Sequence, residues 1–403
     1  MAALSLLLGL IAVVLLLPTA SDLISAARMV TRRRARPQVR SSDVPHLLFL
    51  VPAHNEEVLI ADCLRSLRRV HYPAGCATVL VVADNCSDRT AELARAAGAE
   101  CLERDDPHNL GKPRALAWAV AQLPLRQYDA VVIVDADTTV DPAFAIALAS
   151  AAPLRRKVVQ PFNDVGNRPE NALTRMAGVL ATAICLTFRW KHQAGLNVPV
   201  SAGMCIGSEV LATHGWNAFS LSEDWELYAS LTAAGVPIDY VHTAHLYAQE
   251  ARSLDQSASQ RRRWTAGKVA VLARAWRPLL RSPSIAPLQK LDALAELSAP
   301  GPAVHLGLVV VLSAIVLLVR PPAAPALALC LASSLMRPVV TTLAAFAIER
   351  ERWRAVTAFA FLPIYTLWRL WTLLGSVRMI GERRWVRTQR HAPGPATADG
   401  GEM

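Results

Sequence analysis

Carboxylate groups follow two of the apolar runs in this 403-residue chain. Asp84 follows one run, and Asp135 and Asp137 follow another with one residue between them. Two carboxylates this close are costly to bury unpaired, and a hard cation such as Mg²⁺ or Mn²⁺ would remove their repulsion. The cation would then bind diphosphate oxygens and act on a leaving diphosphate as a Lewis acid. The pair therefore predicts a metal-dependent diphosphate site.

A third acidic group, Glu223-Asp224, follows Ser222. One interpretation is structural: the acidic side chains complement the dipole of a first helical turn that Ser222 caps. The other is chemical, because a carboxylate there can accept a proton from a hydroxyl group. Both interpretations can hold together.

Polar residues next to two further predicted elements also suit a phosphate ligand. Asn55 and Glu56 follow the first apolar run, where the alternative is an ordinary helix N-terminus. Lys112 follows Gly111, which would let the backbone approach a ligand while the lysine supplies a point charge. A plain surface turn is the alternative at that position.

The elements that must position these side chains alternate between strands and helices. Strands are predicted at 46–51, 78–83, 130–134 and 157–160, and helices at about 56–70, 88–97, 111–123 and 142–150. Continuous apolar strands between helices indicate an α/β fold with a mostly parallel sheet covered on both faces. Ligands of such sheets lie beyond the carboxyl ends of the strands, where Asp84 and Asp135 are expected.

Composition favours a membrane protein over a nucleic-acid binder. Hydrophobic residues make up 53% of the chain, and the formal net charge is +10. The arginines cluster next to apolar segments, at 28–40, 349–354 and 378–390. Such flanking charge predicts that the chain crosses the cytoplasmic membrane several times with residues from 32 onward in the cytosol. A cleaved signal peptide is the alternative for the first segment, but its charge would precede the apolar core.

The apolar and basic patterns divide the chain into five parts. We predict an N-terminal transmembrane anchor at 1–30, a catalytic domain at 45–250, amphipathic interface helices at 251–300, a membrane region at 301–381 and a basic, then disordered tail at 382–403. A longer helix is predicted at 170–194. In the membrane region, 303–319 and 323–348 are apolar, whereas 355–381 has arginines on both flanks. That last segment is predicted to be interfacial or re-entrant, with a cytosolic tail.

Gln260-Arg261-Arg262-Arg263-Trp264 completes the pattern, 36 residues after Asp224. With the carboxylate groups before it, this Q-x-x-R-W run resembles the membrane-bound family 2 glycosyltransferases, which include cellulose, chitin and hyaluronan synthases. The resemblance covers about 47–268, with a weaker similarity at 385–388. The membrane region is shorter than in the large synthases. It implies a GT-A fold with terminal transmembrane helices.

The resemblance also implies roles for individual residues. It makes Asp224 the catalytic base beside Glu223. It gives Arg261 and Arg262 no role in the site, so we expect them only to face the membrane surface. For residues 201–208, a tight turn between core elements is the alternative to an acceptor site. The implied roles are donor or nucleotide binding for Asn55, Glu56, Asp84, Lys112, Asp135, Gln260 and Arg263, metal binding for Asp135 and Asp137, and acceptor binding for Gly203, Met204, Gly207 and Trp264.

The implied activity is inverting transfer of a sugar from a nucleotide-sugar donor, a UDP-sugar by expectation, with Mg²⁺ or Mn²⁺. The acceptor would be a growing polysaccharide or a lipid, and the product a β-glycoside formed at the cytoplasmic face of the bilayer. Two alternatives stay open. One is single addition to a glycolipid, as in ceramide glucosyltransferases. The other is a catalytically silent, glycan-binding membrane scaffold.

Overall fold

The computed structural model describes residues 2–31 and 44–379. Within them, eight strands form one sheet in the order β3-β2-β1-β4-β7-β6-β8-β5. The strands are β1 Leu47–Ala53, β2 Ala77–Asp84, β3 Glu100–Arg104, β4 Ala130–Ile133, β5 Thr138–Val140, β6 Val158–Val165, β7 Cys205–Gly207 and β8 Ile238–Ala248. The first four in spatial order are parallel, and β7 is antiparallel to both of its neighbours.

Helices cover both faces of the sheet. The first eight helices are α1 Ala2–Thr31, α2 Ile60–Arg68, α3 Thr90–Ala96, α4 Lys112–Gln122, α5 Phe144–Ala149, α6 Ala172–Ala194, α7 Ser208–His214 and α8 Glu223–Ala233. One apolar core packs α2, α3 and α5 on one face, and a second packs α4, α6, α7 and α8 on the other. The predicted α/β sheet and its four strands are confirmed. The strands β3, β5, β7 and β8 are additional.

The rest of the described chain is helical. The remaining helices are α9 Leu254–Arg281, α10 Pro287–Ser298, α11 Pro302–Val319, α12 Ala324–Ser334, α13 Met336–Ile348, α14 Arg352–Ala358 and α15 Leu362–Val377. Within residues 2–31 and 44–379, five helical segments are long and apolar enough to cross a membrane: Ala3–Met29, Ala172–Ala194, Pro302–Val319, Ala324–Ile348 and Arg352–Val377. The sequence did not single out Ala172–Ala194, which also covers the sheet, as such a segment.

Buried ion pairs join the apolar helices to the sheet domain. Arg337 interrupts the apolar run of α12 and α13, and its guanidinium lies 2.7 Å from Glu296 of α10 and 3.3 Å from Asp22 of α1. Lys191 of α6, fully buried, lies 2.9 Å from the same Glu296 and also pairs with Asp292. Removing one partner of such a pair costs about 3–5 kcal/mol because a buried charge stays behind. These pairs therefore hold α1, α6, α10 and α13 in one arrangement.

Some expectations fall outside the described residues. These are the arginine-rich stretch at 32–36, the tail at 382–403 and the weaker similarity at 385–388.

Candidate active site

Two asparagines shape the loops that follow β1 and β2. Asn55 and Asn85 both have positive φ angles, 54° and 50°, a left-handed conformation that asparagine tolerates better than most residues. The side-chain oxygen of Asn55 accepts a hydrogen bond of 2.7 Å from the backbone N–H of Ser87. Asn55 thus ties the β1 loop to the β2 loop at the carboxyl edge of the sheet. The helix α2 begins at Ile60, later than predicted, because the loop occupies the intervening residues.

Asp84 ends β2 but does not face an open crevice. The residue is only 4% exposed, and Arg104 Nη1 donates to its Oδ1 at 2.5 Å. Arg104 ends the neighbouring strand β3, and its Nη2 also donates to Asp106 at 2.8 Å and to the backbone oxygen of Asn109 at 2.9 Å. Asp84 therefore belongs to a buried charge network, which the sequence did not predict. The bonds from Arg104 and from the Asn85 side chain both go to Oδ1 of Asp84.

Asp135 and Asp137 lie in the turn between β4 and β5. Both are partly exposed, whereas Ala136 between them is buried. The backbone oxygen of Asp135 accepts from Thr138 N at 3.0 Å and from Thr138 Oγ1 at 2.7 Å, which closes the turn. Within residues 2–31 and 44–379, no group of three or more His, Cys, Asp or Glu side chains could hold an ion alone. The two carboxylates fit Mg²⁺ or Mn²⁺ only if a ligand's phosphates share the coordination shell, the usual habit of Mg²⁺.

Lys112 joins the Asp135 group to the Glu223 group. Its Nζ lies 2.5 Å from Asp135 Oδ1 and 3.3 Å from Glu223 Oε1. Gly111 caps α4 with a φ of 107°, which a residue with a side chain rarely adopts. Burial would lower the pKa of Lys112, but Asp135 and Glu223 together raise it above its ordinary value. Lys112 is therefore a permanent cation, and it brings carboxylates 88 positions apart in the sequence to one point.

Asp224 lies next to Glu223 in the first turn of α8 and is partly buried. Its Oδ1 accepts from the backbone N–H of Trp225 at 2.8 Å. Burial first, and then the Glu223 charge, raise the pKa of Asp224 to about 7. A carboxylate with this pKa is suited to take a proton near neutral pH. Ser222 precedes the helix, but its side chain accepts no capping hydrogen bond from the helix; its hydroxyl donates to the backbone oxygen of Trp264 in α9.

We predict that the pH profile of kcat has an acid limb and that the midpoint of this limb depends on Glu223. If Asp224 is the base, kcat should fall about tenfold for each pH unit below 7, because only the deprotonated form accepts a proton. Glu223→Gln removes a charge that raises the pKa of Asp224, so the midpoint should move to lower pH. Initial rates from pH 5 to 9 measure both. An acid limb at the same pH in both proteins would contradict the assignment.

The helix α9 brings the Q-x-x-R-W run to the start of α8. Ser222 Oγ lies 3.4 Å from the backbone oxygen of Trp264, and Ser222 directly precedes Glu223 and Asp224. The Trp264 side chain is 41% exposed. Gln260 and Arg263 are partly buried on the same helix, within about one turn of Trp264. The exposed indole has the broad apolar face and the single donor that suit a sugar ring.

Gly267 sets the distance between α9 and α8. A Cβ atom at this position would lie 2.3 Å from Ser222 Oγ and 2.9 Å from Ser222 Cβ. The two helices can approach this closely only because residue 267 has no side chain.

Gly267→Ala should therefore separate Trp264 from Asp224 and lower kcat by roughly 10²-fold, the size expected for an ångström-scale misplacement. Steady-state kinetics with circular dichroism of the same sample test this. The matched control is Gly9→Ala, another helical glycine, whose added Cβ would meet no atom within 4 Å. Equal activity of the two variants would show that the approach of α9 is unimportant.

Arg261 and Arg262 do more than face a membrane surface, which corrects the expectation. The Arg261 guanidinium lies 2.6 Å from Glu250 and 4.9 Å from the centre of the Trp264 ring. The Arg262 guanidinium lies 4.6 Å from the centre of the Trp371 ring on α15. Arg261 thus orients Trp264, and Arg262 anchors α9 to α15.

Three of the predicted acceptor residues, Gly203, Met204 and Gly207, precede α7. The structure brings only Gly203 to the carboxyl edge of the sheet. Gly203 lies at the carboxyl end of β4, where its N–H donates to Ile133 at 2.8 Å. Met204 is 1% exposed within the apolar core. Gly207 pairs with Ala130 at the opposite end of β4, because β7 runs antiparallel. Met204 and Gly207 are therefore left out of the site, and the acceptor expectation for them is corrected.

Two charged residues near the site escaped the sequence analysis. Arg104 ends a strand that was not predicted, so nothing marked it as a partner of Asp84. Lys268 Nζ lies 3.8 Å from the centre of the Trp225 ring and donates to the backbone oxygen of Ala299 at 2.7 Å. Its place four residues after Trp264 on one helix is the only signal that could have pointed to it.

Comparison with known proteins identifies the fold and the family of this chain. Residues 45–267 match the family described as Glycosyltransferase like family 2. The mannosyltransferase PcManGT from Pyrobaculum calidifontis, solved with GDP-Man and Mn²⁺, superposes with a TM-score of 0.57 at 18% identity, over 93% of this chain and 98% of that one. The sheet and its helices therefore form a GT-A fold. The chain belongs to glycosyltransferase family 2.

Two curated relatives are similar over part of their length. The probable glycosyltransferase YdaM of Bacillus subtilis is 28% identical over 60% of each chain. The beta-monoglucosyldiacylglycerol synthase of Trichormus variabilis is 31% identical over 49% of this chain and 43% of the relative. The chain thus matches less than two thirds of the length of either relative.

Proposed function

We propose that the chain is a metal-dependent, inverting glycosyltransferase that transfers a sugar from a nucleotide sugar to an acceptor at the membrane face. The observation that carries this proposal is the position of Lys112, whose Nζ contacts both Asp135 and Glu223. A diphosphate held near Asp135 would lie beside the carboxylates of α8. The group that leaves and the group that receives a proton would then share one edge of the sheet.

The donor side would use the loops after β1, β2 and β4. Asp84, held by Arg104, would accept a hydrogen bond from the nucleobase, and Asn55 and Glu56 would shape the loop around it. Asp135 and Asp137 would hold Mg²⁺ or Mn²⁺, which as a Lewis acid neutralises the leaving diphosphate. Lys112 would release Asp135 and contact phosphate as a point charge. Gln260 and Arg263 would contact the same phosphates from α9.

The acceptor side would use α8, α9 and Gly203. Trp264 would stack on the acceptor and keep its hydroxyl near Asp224. Asp224 would take the hydroxyl proton as the oxygen attacks the anomeric carbon and the bond to the diphosphate breaks. A single displacement inverts configuration, so an α-linked donor yields a β-linked product. We propose a UDP-sugar as the donor.

The acceptor we favour is a lipid, with a growing polysaccharide as the alternative. Two observations support a lipid acceptor. The first is that α9 carries Trp264 and packs through Arg262 against Trp371 of the apolar segment Arg352–Val377. The second is that the Trichormus relative is named for synthesis of a glucosyl lipid. An acceptor embedded in the bilayer could therefore reach the site from α15. The proposed location is the cytoplasmic membrane, with the GT-A domain in the cytosol.

The direct test is sugar transfer by the purified full chain. The assay combines radiolabelled UDP-sugars, Mn²⁺ or Mg²⁺, and vesicles that contain diacylglycerol. We expect metal-dependent label in the organic phase; label in an ethanol-insoluble polymer would support the alternative. No transfer from any nucleotide sugar, with metal and either acceptor class present, would leave a silent scaffold as the better explanation.

A further inference from the structure

One open cavity of the described chain is lined by none of the candidate site residues, and its walls combine apolar and cationic side chains. Its volume is about 740 Å³, and it lies at the turn that joins α13 to α14. Leu343 and Phe346 of α13 and Val356 of α14 form its apolar wall. Arg350 and Arg352 lie on its rim. An apolar wall with a cationic rim matches a ligand that has both hydrocarbon and negative charge.

The depth of the turn in a bilayer follows from the helices it joins. The apolar segment Ala324–Ile348 ends just before it, and the segment Arg352–Val377 begins with it. The turn therefore lies at the level of the lipid head groups. Trp353, the second residue of α14, is 83% exposed, and exposed tryptophan is typical of the membrane–water boundary.

The turn has an excess of positive charge. Its two carboxylates are already held by arginines of the GT-A domain: Glu349 lies 2.7 Å from Arg168, and Glu351 pairs with Arg175. Arg350 and Arg352 are exposed, and neither has a carboxylate within ion-pair distance in the described part of the chain. The contacts with Arg168 and Arg175 also place the turn on the same side of the bilayer as the GT-A domain.

We propose that this cavity binds an anionic phospholipid. The phosphate of the head group would lie between Arg350 and Arg352, and an acyl chain would lie along Leu343 and Phe346. Basic pockets between apolar helices on the cytoplasmic side of a membrane recognise anionic head groups in this way. The occupant is distinct from the sugar acceptor, because the cavity walls contain none of the candidate site residues. The proposal rests on membrane insertion of the chain, which carbonate extraction of membranes tests separately.

The test measures lipid binding and needs no transferase activity. The full chain in detergent is titrated with phosphatidylglycerol and with phosphatidylcholine of the same acyl chains, and bound lipid is counted by native mass spectrometry. We expect phosphatidylglycerol to bind on the order of tenfold more tightly. Arg350→Gln with Arg352→Gln should abolish that preference. The control pair, Arg274→Gln with Arg281→Gln, removes the same charge from exposed positions on α9 and should keep it.

Three outcomes would overturn the proposal. The two lipids could bind equally, the Arg350→Gln and Arg352→Gln pair could keep the preference, or free glycerophosphate could displace phosphatidylglycerol at equal concentration. The last outcome would assign the rim to soluble phosphates. If the double variant does not fold, Arg352→Gln alone should lose roughly fivefold of the preference.

Discussion

Replacing Asp224 with asparagine should lower kcat for sugar transfer by roughly 10²- to 10⁴-fold, the usual contribution of a general base. Asparagine keeps the size of the side chain and can still accept the hydrogen bond from the N–H of Trp225. It cannot accept a proton at neutral pH. The loss should therefore appear in kcat, whereas the Kd of UDP in the presence of Mn²⁺ should change little.

The matched control for Asp224→Asn is Asp62→Asn. Asp62 also lies in the first turn of a helix, α2, but its carboxylate is about half exposed and pairs only locally with Arg65. This variant should retain the activity of the unmodified protein. Transfer by Asp224→Asn at more than a tenth of the normal rate would show that another group takes the proton.

Replacing Asp137 with asparagine should raise the Mn²⁺ concentration needed for half-maximal activity and lower the rate at saturating metal by roughly 10²-fold. The reason is that the protein would supply only a few of the ligands in the proposed metal site. The protein would supply only two carboxylates to the metal, Asp135 and Asp137, and without ligands Asp135 is paired with Lys112. Loss of the Asp137 charge leaves a hard cation with a single carboxylate partner.

Binding of UDP measured with and without Mn²⁺ separates the metal role from a loss of structure. In Asp137→Asn the metal should no longer strengthen UDP binding, while binding without metal should persist. The control is Asp141→Asn, four positions further along the chain, where the side chain accepts a hydrogen bond of 2.8 Å from Ala143 N that asparagine can also accept. An unchanged metal requirement in Asp137→Asn would remove this residue from the metal site.

Much of the sheet could be predicted because its central strands are uninterrupted apolar runs. β1 is buried at all seven positions, and β2 and β4 are its parallel neighbours. Parallel neighbours bring their carboxyl ends to one edge, so the carboxylates that follow them were expected to meet. By contrast, β3 reads Glu100-Cys101-Leu102-Glu103-Arg104, too polar for that pattern. The missed strand is the reason that Arg104 was missed.

The acceptor residues show a different limit. The small, uncharged run at 201–208 gave no information about strand direction. Since β7 pairs antiparallel with β4, the run passes from the site edge at Gly203 to the opposite edge at Gly207. Gly203 and Gly207 are only four positions apart in the sequence, but they lie at opposite ends of β4.

The amino-acid sequence by itself determined the residue types and the ends of the strands that carry them, because both depend on near neighbours along the chain. Only the tertiary structure decided the distances between groups that are remote in sequence. Lys112 meets Asp135 and Glu223 through the packing of α4 and α8, and Trp264 reaches α8 because Gly267 leaves room beside Ser222. Such contacts depend on how whole helices and strands pack, and short-range sequence patterns carry little information about that packing.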